Sequence, residues 1–369
     1  MQKGSELKYL IALKAIPMVG DILARRLLAA FSSAENIFRI SVSDMLKMPG
    51  VGKNIADHIH GNKDKALALA EKELEYVEKE NIKTVHFYEQ NYPERLKHCI
   101  DAPLYLFYKG DFKLNAKHVI SVVGTRSSTV YGRNMCSKLI KNLKLSDLQI
   151  VSGMAYGIDT AAHQAAVEES IPTIAVLGHG FNHLYPPENK ALSEKIIQNG
   201  ALLTEFLSFE KPDREHFPIR NRIIAGLSDA TIVVEARSKG GALITAEIAN
   251  SYNRDVFSVP GKVGDRNSKG CNWLIRTNRA MLLESAEQFK YYMNWESEEK
   301  PQKQTVMNMV LDPKTQEVFD FLKDNNECDI DKICRTLNLS MNNAATILLD
   351  LEFQGLINSL PGKRYCLKI

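Results

Sequence analysis

His118-Val119-Ile120-Ser121-Val122-Val123-Gly124-Thr125-Arg126-Ser127-Ser128 decides the fold: six mostly β-branched residues end at a glycine-opened turn, and a helical pattern takes over from about Tyr131. A strand that is apolar at almost every position, with no in-and-out alternation, is covered on both faces. The same order of strand, turn and helix returns along the chain. Residues 149–152 run into Gly153-Met154-Ala155-Tyr156-Gly157-Ile158-Asp159 and a helix through His163, and residues 173–177 run into Gly178-His179-Gly180. Residues 202–205, 231–235, 256–259 and 281–283 read as further strands, separated by helical segments that begin near Pro218, Gly241 and Lys269. This alternation predicts an α/β fold, an extended Rossmann-like parallel sheet spanning residues 81–295. Ligands of such sheets sit outside the carboxyl ends of the strands, which is where these glycine-rich turns fall.

On the N-terminal side, Leu7, Leu10, Ile11, Leu13 and Ile16, then Ile22, Leu23, Leu27, Leu28 and Phe31, recur at helical spacing. Residues 1–80 are therefore expected to form a small helical module of helix-hairpin-helix or SAM-like type. Met48-Pro49-Gly50-Val51-Gly52-Lys53-Asn54-Ile55-Ala56 has the form of a hairpin turn whose backbone N–H groups face a phosphate. Ile16-Pro17-Met18-Val19-Gly20-Asp21-Ile22 echoes it, with Met18 in place of the first glycine and Asp21 in place of Lys53, so phosphate binding is expected of the later turn alone. With near-balanced charge in this segment, the packing of several short helices is the plainer reading of both turns.

On the C-terminal side, Trp295-Glu296-Ser297-Glu298-Glu299-Lys300-Pro301 leads into a charged linker over residues 296–311. Residues 313–324, 330–337 and 341–353 read as three helices, and 355–358 with 362–367 as a hairpin. Residues 312–369 thus form a winged-helix-like module. Its third helix has no Lys or Arg and carries Asp350 and Glu352, so it is expected to contact protein or regulate the chain itself rather than read DNA.

Composition sets bounds on the class. With 369 residues, 44% hydrophobic and 25% charged, the chain is an ordinary globular protein rather than a disordered or fibrous one. A net charge of +3 provides no global field for nucleic acid, so any such contact must come from a local patch. The six cysteines form no C-x-x-C pair, residues 1–10 lack the apolar run of a secretory leader, and no apolar stretch reaches bilayer length. A cytoplasmic protein with free thiols and no membrane partner is expected.

Cations gather at the turns. Phe217-Pro218-Ile219-Arg220-Asn221-Arg222-Ile223-Ile224-Ala225-Gly226 flanks Asn221 with two arginines at what reads as the first turn of a helix, where unpaired N–H groups and a partial positive charge already favour phosphate. Gly124, Thr125 and Arg126 combine close backbone approach, a hydroxyl and a bidentate donor. By themselves they fit equally well an arginine that caps a helix or pairs with a carboxylate. Ser152 and Gly153 open a glycine-rich run with the profile of a phosphate cradle, in which Asp159 reads as a partner of the helix dipole and His163 as an interior histidine. Arg237-Ser238-Lys239-Gly240-Gly241 and Val259-Pro260-Gly261-Lys262 complete a basic rim. Several separate cations along one sheet edge suit a polyanion better than a mononucleotide. Tyr131, Tyr156, Phe181, Tyr185 and Phe217 lie near these turns and are read as core rather than as platforms for bases.

Taken together, Val123-Gly124-Thr125-Arg126, residues 152–163, residues 217–228 and Gly241-Ala242-Leu243-Ile244-Thr245-Ala246 resemble the DprA/Smf family of DNA-processing proteins. The resemblance covers the sheet domain and extends to both terminal modules. It implies a non-enzymatic homodimer that binds single-stranded DNA without sequence preference and loads the RecA recombinase in natural transformation, with no cofactor and no metal. By position, Arg126, Arg220 and Arg222 would contact the sugar–phosphate backbone, Ser152 and Gly153 would offer helix-start donors, and Lys239, Gly240 and Gly241 would form another wall. Gly124, Thr125, Asn221 and Lys262 belong to the same DNA-binding set.

A second reading is enzymatic. Gly240-Gly241-Ala242-Leu243-Ile244-Thr245-Ala246-Glu247 also looks like the phosphate loop of nucleotide phosphoribohydrolases, where Glu247 or Glu235 would have to act on the ribosyl bond. No paired carboxylates stand at a convincing spacing for it. His179 and His183 lack a third zinc ligand, no Walker lysine follows the glycines, and the dinucleotide fingerprint is absent.

Overall fold

The computed structural model describes residues 3–295, 312–325, 327–354, 356–360 and 363–367. The expected linker at 296–311 lies outside the described residues, as do Gly355 and Gly362 of the expected hairpin. The chain divides into two compact units, Met1–Glu298 and Glu299–Ile369.

The first unit opens with five helices, α1 (Lys3–Ala15), α2 (Asp21–Phe31), α3 (Ala34–Arg39), α4 (Val42–Met45) and α5 (Lys53–Lys79). Ser33 and Ser41 start α3 and α4 by accepting the N–H groups of Asn36 and Asp44. Gly50, in the turn before α5, has φ +83°, and Met18, its counterpart before α2, adopts φ +71° and lies exposed. The two turns share a backbone shape despite the replaced glycine. Arg26 donates to the Pro49 carbonyl at 2.7 Å and so holds the later turn from within the module.

The sheet follows, in the order β1 (Lys83–His86), α6 (Glu94–Lys97), β2 (Tyr105–Gly110), β3 (His118–Val123), α7 (Val130–Leu143), β4 (Leu148–Ser152), α8 (Ile158–Glu168), β5 (Thr173–Val176), α9 (Lys190–Gln198) and β6 (Gly200–Thr204). It continues through α10 (His216–Leu227), β7 (Ala230–Val233), α11 (Gly241–Ser251), β8 (Asp255–Ser258), α12 (Lys269–Arg276), β9 (Met281–Leu282) and α13 (Ala286–Tyr292). Spatially the strands run β1-β2-β6-β5-β4-β3-β7-β8-β9. All pairs from β6 to β9 are parallel, and β2 and β1 add on antiparallel. The expected strands are present, and β1 and β2 are additions to them.

Period-two alternation distributes the core. Val119 and Val123 of β3 pack with α10, α11 and α12, while Ile120 and Val122 pack on the other face with α7, α8 and α13. From β3 the chain builds outward through β4, β5 and β6, then returns by α10 to place β7 on the opposite side of β3. That reversal is the switch point of a doubly wound sheet.

The helical module shares one core with the sheet's antiparallel side, since Leu104, Tyr105 and Phe107 cluster with Leu10, Ile16 and Leu27. A buried charge cluster reinforces the junction. Arg222 of α10 pairs with Asp21 of α2 at 3.1 Å and with Glu205 at 2.5 Å, and Lys14 of α1 meets both Glu205 and Asp21. Asp21 also accepts the Leu104 N–H at 2.9 Å. The acid that breaks the first hairpin's phosphate pattern is therefore an anchor to the sheet.

The second unit is a winged helix. It comprises α14 (Pro313–Asn325), β10 (Glu327–Asp329), α15 (Ile330–Thr336), α16 (Met341–Phe353), β11 (Ile357–Leu360) and β12 (Arg364–Leu367). β12 lies between β10 and β11, and Val318, Leu322, Ile333, Ala344, Leu348 and Leu351 form the core. Asp329 and Ser340 cap α15 and α16.

Burial alone would lower the Arg222 pKa, but Glu205 and Asp21 outweigh it and hold the guanidinium charged. Removing one member of such a cluster leaves uncompensated buried charge. Arg222→Leu is expected to cost about 3–5 kcal/mol. Urea unfolding followed by the emission of Trp273 and Trp295, the only tryptophans and both in the first unit, measures it.

Candidate nucleic-acid interface

A cavity of about 720 Å³ opens at the carboxyl ends of β3, β4 and β7, at the switch point. Three turns form its walls. The turn after β3 supplies Gly124, Thr125 and Arg126, the turn after β4 and the start of α8 supply Ala155 and Asp159, and the turn after β7 and the start of α11 supply Ala236, Arg237, Lys239, Gly240 and Gly241. The segment before α10 and its first turns close the remaining side with Arg214, Phe217, Arg220 and Asn221.

The turns interlock through backbone contacts. Thr125 N–H donates to the Glu235 carbonyl at 2.7 Å, and Ile158 N–H to the Thr125 carbonyl at 3.2 Å. Gly157 has φ +82°, and a Cβ there would stand 2.2 Å from the Thr125 carbonyl oxygen, so only glycine allows this approach. Thr125 Oγ1 accepts the Ser127 N–H within its own turn. α11 starts without a side-chain cap, and its first residues, Gly241 and Ala242, line the cavity. An uncapped helix start of this kind favours an anion.

The two arginines of α10 part company. The helix begins at His216, two residues before Pro218, so Arg220 and Arg222 sit in its second turn rather than its first. Successive helical residues turn by about 100°, which sends positions two apart to opposite faces. Arg220 faces the sheet and donates to the carbonyls of Gly153 and Val176, beneath the cavity floor. Burial lowers its pKa to about 10, which leaves it charged at neutral pH. Arg222 faces the helical module, so the expectation that it contacts the DNA backbone is corrected: its guanidinium is consumed by Asp21, Glu205 and the Asp101 carbonyl.

Three further expectations change. Ser152 and Gly153 are not helix-start donors, because α8 begins only at Ile158. Ser152 Oγ instead donates to the Val122 carbonyl at 2.6 Å, and a Cβ on Gly153 would lie 2.7 Å from both Arg220 and Asp159, so this glycine makes room for that pair. Lys262 lines a separate depression of about 470 Å³ with Tyr131, Glu235 and Asp265. Of the expected set, Gly124, Thr125, Arg126, Arg220, Asn221, Lys239, Gly240 and Gly241 share the main cavity.

Sequence reasoning overlooked Arg214 and Asp213, which precede α10 in an irregular segment with no glycine to mark it. It also placed the aromatic residues too deep. Phe181 is half-buried against the core, but Tyr131, Tyr156 and Tyr185 are exposed, and Phe217 lies half-buried with the Arg126 guanidinium 5.0 Å from its ring centre. His163 is interior as expected, with Nδ1 on Thr173 Oγ1 at 2.8 Å, and burial pushes its pKa down to about 3. His179 holds its turn, its Nε2 accepting the Tyr185 N–H while Nδ1 meets the Gly180 carbonyl.

A family model described as DNA recombination-mediator protein A matches residues 83–294, and one described as DprA winged helix domain matches residues 300–363. The chain belongs to the DprA/Smf family. Protein Smf of Synechocystis sp. is 36% identical over 287 residues, which span 76% of this chain and 71% of that protein. The crystal structure of DNA processing protein A from Streptococcus pneumoniae superposes with a TM-score of 0.65 at 34% identity, covering 77% of this chain and 97% of that one. A structure of DNA processing protein A from Helicobacter pylori, described for its single-stranded DNA binding mode, gives a TM-score of 0.52 at 28% identity over 58% of this chain and 95% of that one. The family's winged helix coincides with the second unit, and its recombination-mediator match with the sheet.

Asp159 sits buried among the cations. Burial raises its pKa to about 6, opposed by Arg220 and Arg126. A carboxyl whose folded pKa exceeds its unfolded value of about 3.9 binds its proton more tightly when folded. Its stabilising contribution is complete below about pH 4 and lost as pH climbs through about 6. Asp159→Asn is expected to lack that loss, so the gap between variant and wild-type urea midpoints widens from about pH 4 to about pH 7. A gap that stays constant with pH refutes the assignment.

Proposed function

We propose that the cavity binds single-stranded DNA through its backbone, without regard to sequence, and that the chain is a recombination mediator that loads RecA rather than an enzyme. The observation that carries this reading is the charge of the lining: Arg126, Arg214, Arg220, Arg237 and Lys239 face only Asp159 and Asp213. Cations spread over the turns after β3 and β7, the segment before α10 and α10 itself match a chain of phosphates better than one phosphate group. Phe217 and Tyr185 in the same wall favour a single strand, because bases in a duplex keep their faces stacked and out of reach. The single-stranded DNA binding mode ascribed to the Helicobacter pylori protein and the recombination-mediator match support the same ligand and role.

The enzymatic alternative lacks its carboxylate. Glu247 pairs with Arg279 at 3.0 Å on the surface, and Glu235 accepts the Thr129 N–H and hydroxyl outside the main cavity. Release of free base from nucleoside monophosphates is accordingly not expected.

Arg126→Ala is expected to weaken binding of a labelled single strand, in anisotropy or mobility-shift titrations, and to reduce the log–log salt slope by about 0.7 for each phosphate the variant leaves unneutralised. The same variant should slow RecA filament assembly on DNA coated with single-strand-binding protein. Unchanged affinity removes Arg126 from the interface.

The proposed homodimer has a candidate surface in the edge strand β9, where Met281 and Leu282 are 38% and 37% exposed. An apolar sheet edge of this kind invites pairing with a second copy. Leu282→Glu is expected to shift the light-scattering mass from dimer to monomer.

A further inference from the structure

We propose that a single strand continues out of the main cavity across Arg126 into a neighbouring depression, where Tyr156 stacks a base and Arg133 holds the adjoining phosphate. The inference rests on the single-strand reading above and adds to it a second nucleotide subsite and the direction of the path.

The depression measures about 410 Å³ and is lined by Arg126, Arg133, Ser127, Ser128, Tyr156 and Gln164, among others, with no acidic residue in its lining. Arg126 belongs to the rim of both hollows, so one exposed guanidinium bridges them. Arg133 is exposed and fixed through Nη1, which donates to the Ser128 carbonyl at 2.8 Å and to Ser128 Oγ at 3.3 Å. Its fork is thereby held at the rim with its remaining donors uncommitted among the described residues.

Aromatic rings mark the same route. Phe217 and Tyr185 line the main cavity with centroids 5.9 Å apart, and Tyr156 follows Tyr185 at 6.4 Å in an edge-on arrangement. Tyr156 is 36% exposed, and its hydroxyl is tied to Glu188, which sets the ring without covering it. These spacings exceed the roughly 3.4 Å between stacked bases, so the row fits an extended strand whose bases meet protein rings one at a time. These three exposed or half-exposed rings pack on one another beside the cations and contribute nothing to the buried core. The chemistry demanded is that of a polynucleotide, since the second hollow provides both a stacking face and an anion partner.

The test uses the full-length chain and oligothymidylates of about 4 to about 16 nucleotides in anisotropy titrations. Wild-type affinity is expected to rise with length beyond that which fills the main cavity. Tyr156→Ala and Arg133→Ala should each flatten this rise, with about a tenfold loss on the longest strand for Tyr156→Ala. Tyr156→Phe, which keeps the ring and loses the tie to Glu188, should restore most of it. The inference is overturned if wild type shows the length dependence and both alanine variants, folded by circular dichroism, retain it. If wild type binds no oligomer of any length, the single-strand reading fails and this subsite falls with it.

Discussion

A parallel strand always ends at the same edge of its sheet, and the right-handed return through a helix brings the next strand to end there too. That constraint determines where the cavity forms in this molecule. Seven strands from β6 to β9 run parallel, so the turns after β3, β4 and β7 meet although more than a hundred residues separate Gly124 from Gly240. The reversal of strand order at β3 then sends α7 and α8 to one face and α11 to the other. Neighbouring turns diverge, no helix covers the gap between them, and the cavity is what remains.

The helix α10 depends on that arrangement and serves two tasks with one short run. It crosses the sheet to connect β6 to β7, so one of its faces meets the strand ends while another meets the helical module. Arg220 lies on the first and Arg222 on the second. Burying Arg222 is tolerable because Lys14, Arg222, Asp21 and Glu205 balance as two positive and two negative charges. The family motif is therefore a structural joint, and it ties the N-terminal helices to the part of the sheet that forms the cavity.

Much of this was legible in the chain. Runs such as 118–123 and 231–235 announce doubly covered strands, and each glycine turn behind them marks the ligand edge. β1 and β2 were not legible, because Lys83-Thr84-Val85-His86 is short and mixed and no crossover helix follows Tyr105–Gly110 to signal a parallel repeat. Within the site, the turns could be read but the directions of their side chains could not. Arginines two apart on a helix fall on opposite faces wherever it begins, so only one of the pair could face the cavity, and the run alone does not say which. The exposure of Tyr156 and Tyr185 was hidden for a related reason: rings near a sheet are usually covered, and only the open switch point leaves these bare.

Charge counted in a sequence is not charge available to a ligand. The five cations around the cavity form a gradation set by their internal partners. Arg220 is held by two carbonyls under the floor and acts through its field, and Arg237 is half-committed through Nε to Asn267 at 3.0 Å. Arg126, Arg214 and Lys239 are exposed and make no ion pair or side-chain hydrogen bond among the described residues. Those three are free to neutralise an anion without first breaking a bond within the protein. A net charge of +3 over 369 residues is thus compatible with a polyanion track, because the acids that cancel the total are spent elsewhere, in pairs such as Asp229 with Arg95 and Glu247 with Arg279. The charge of the cavity depends on which cations the fold leaves without an ion pair among the described residues, and the sheet edge is where it leaves them.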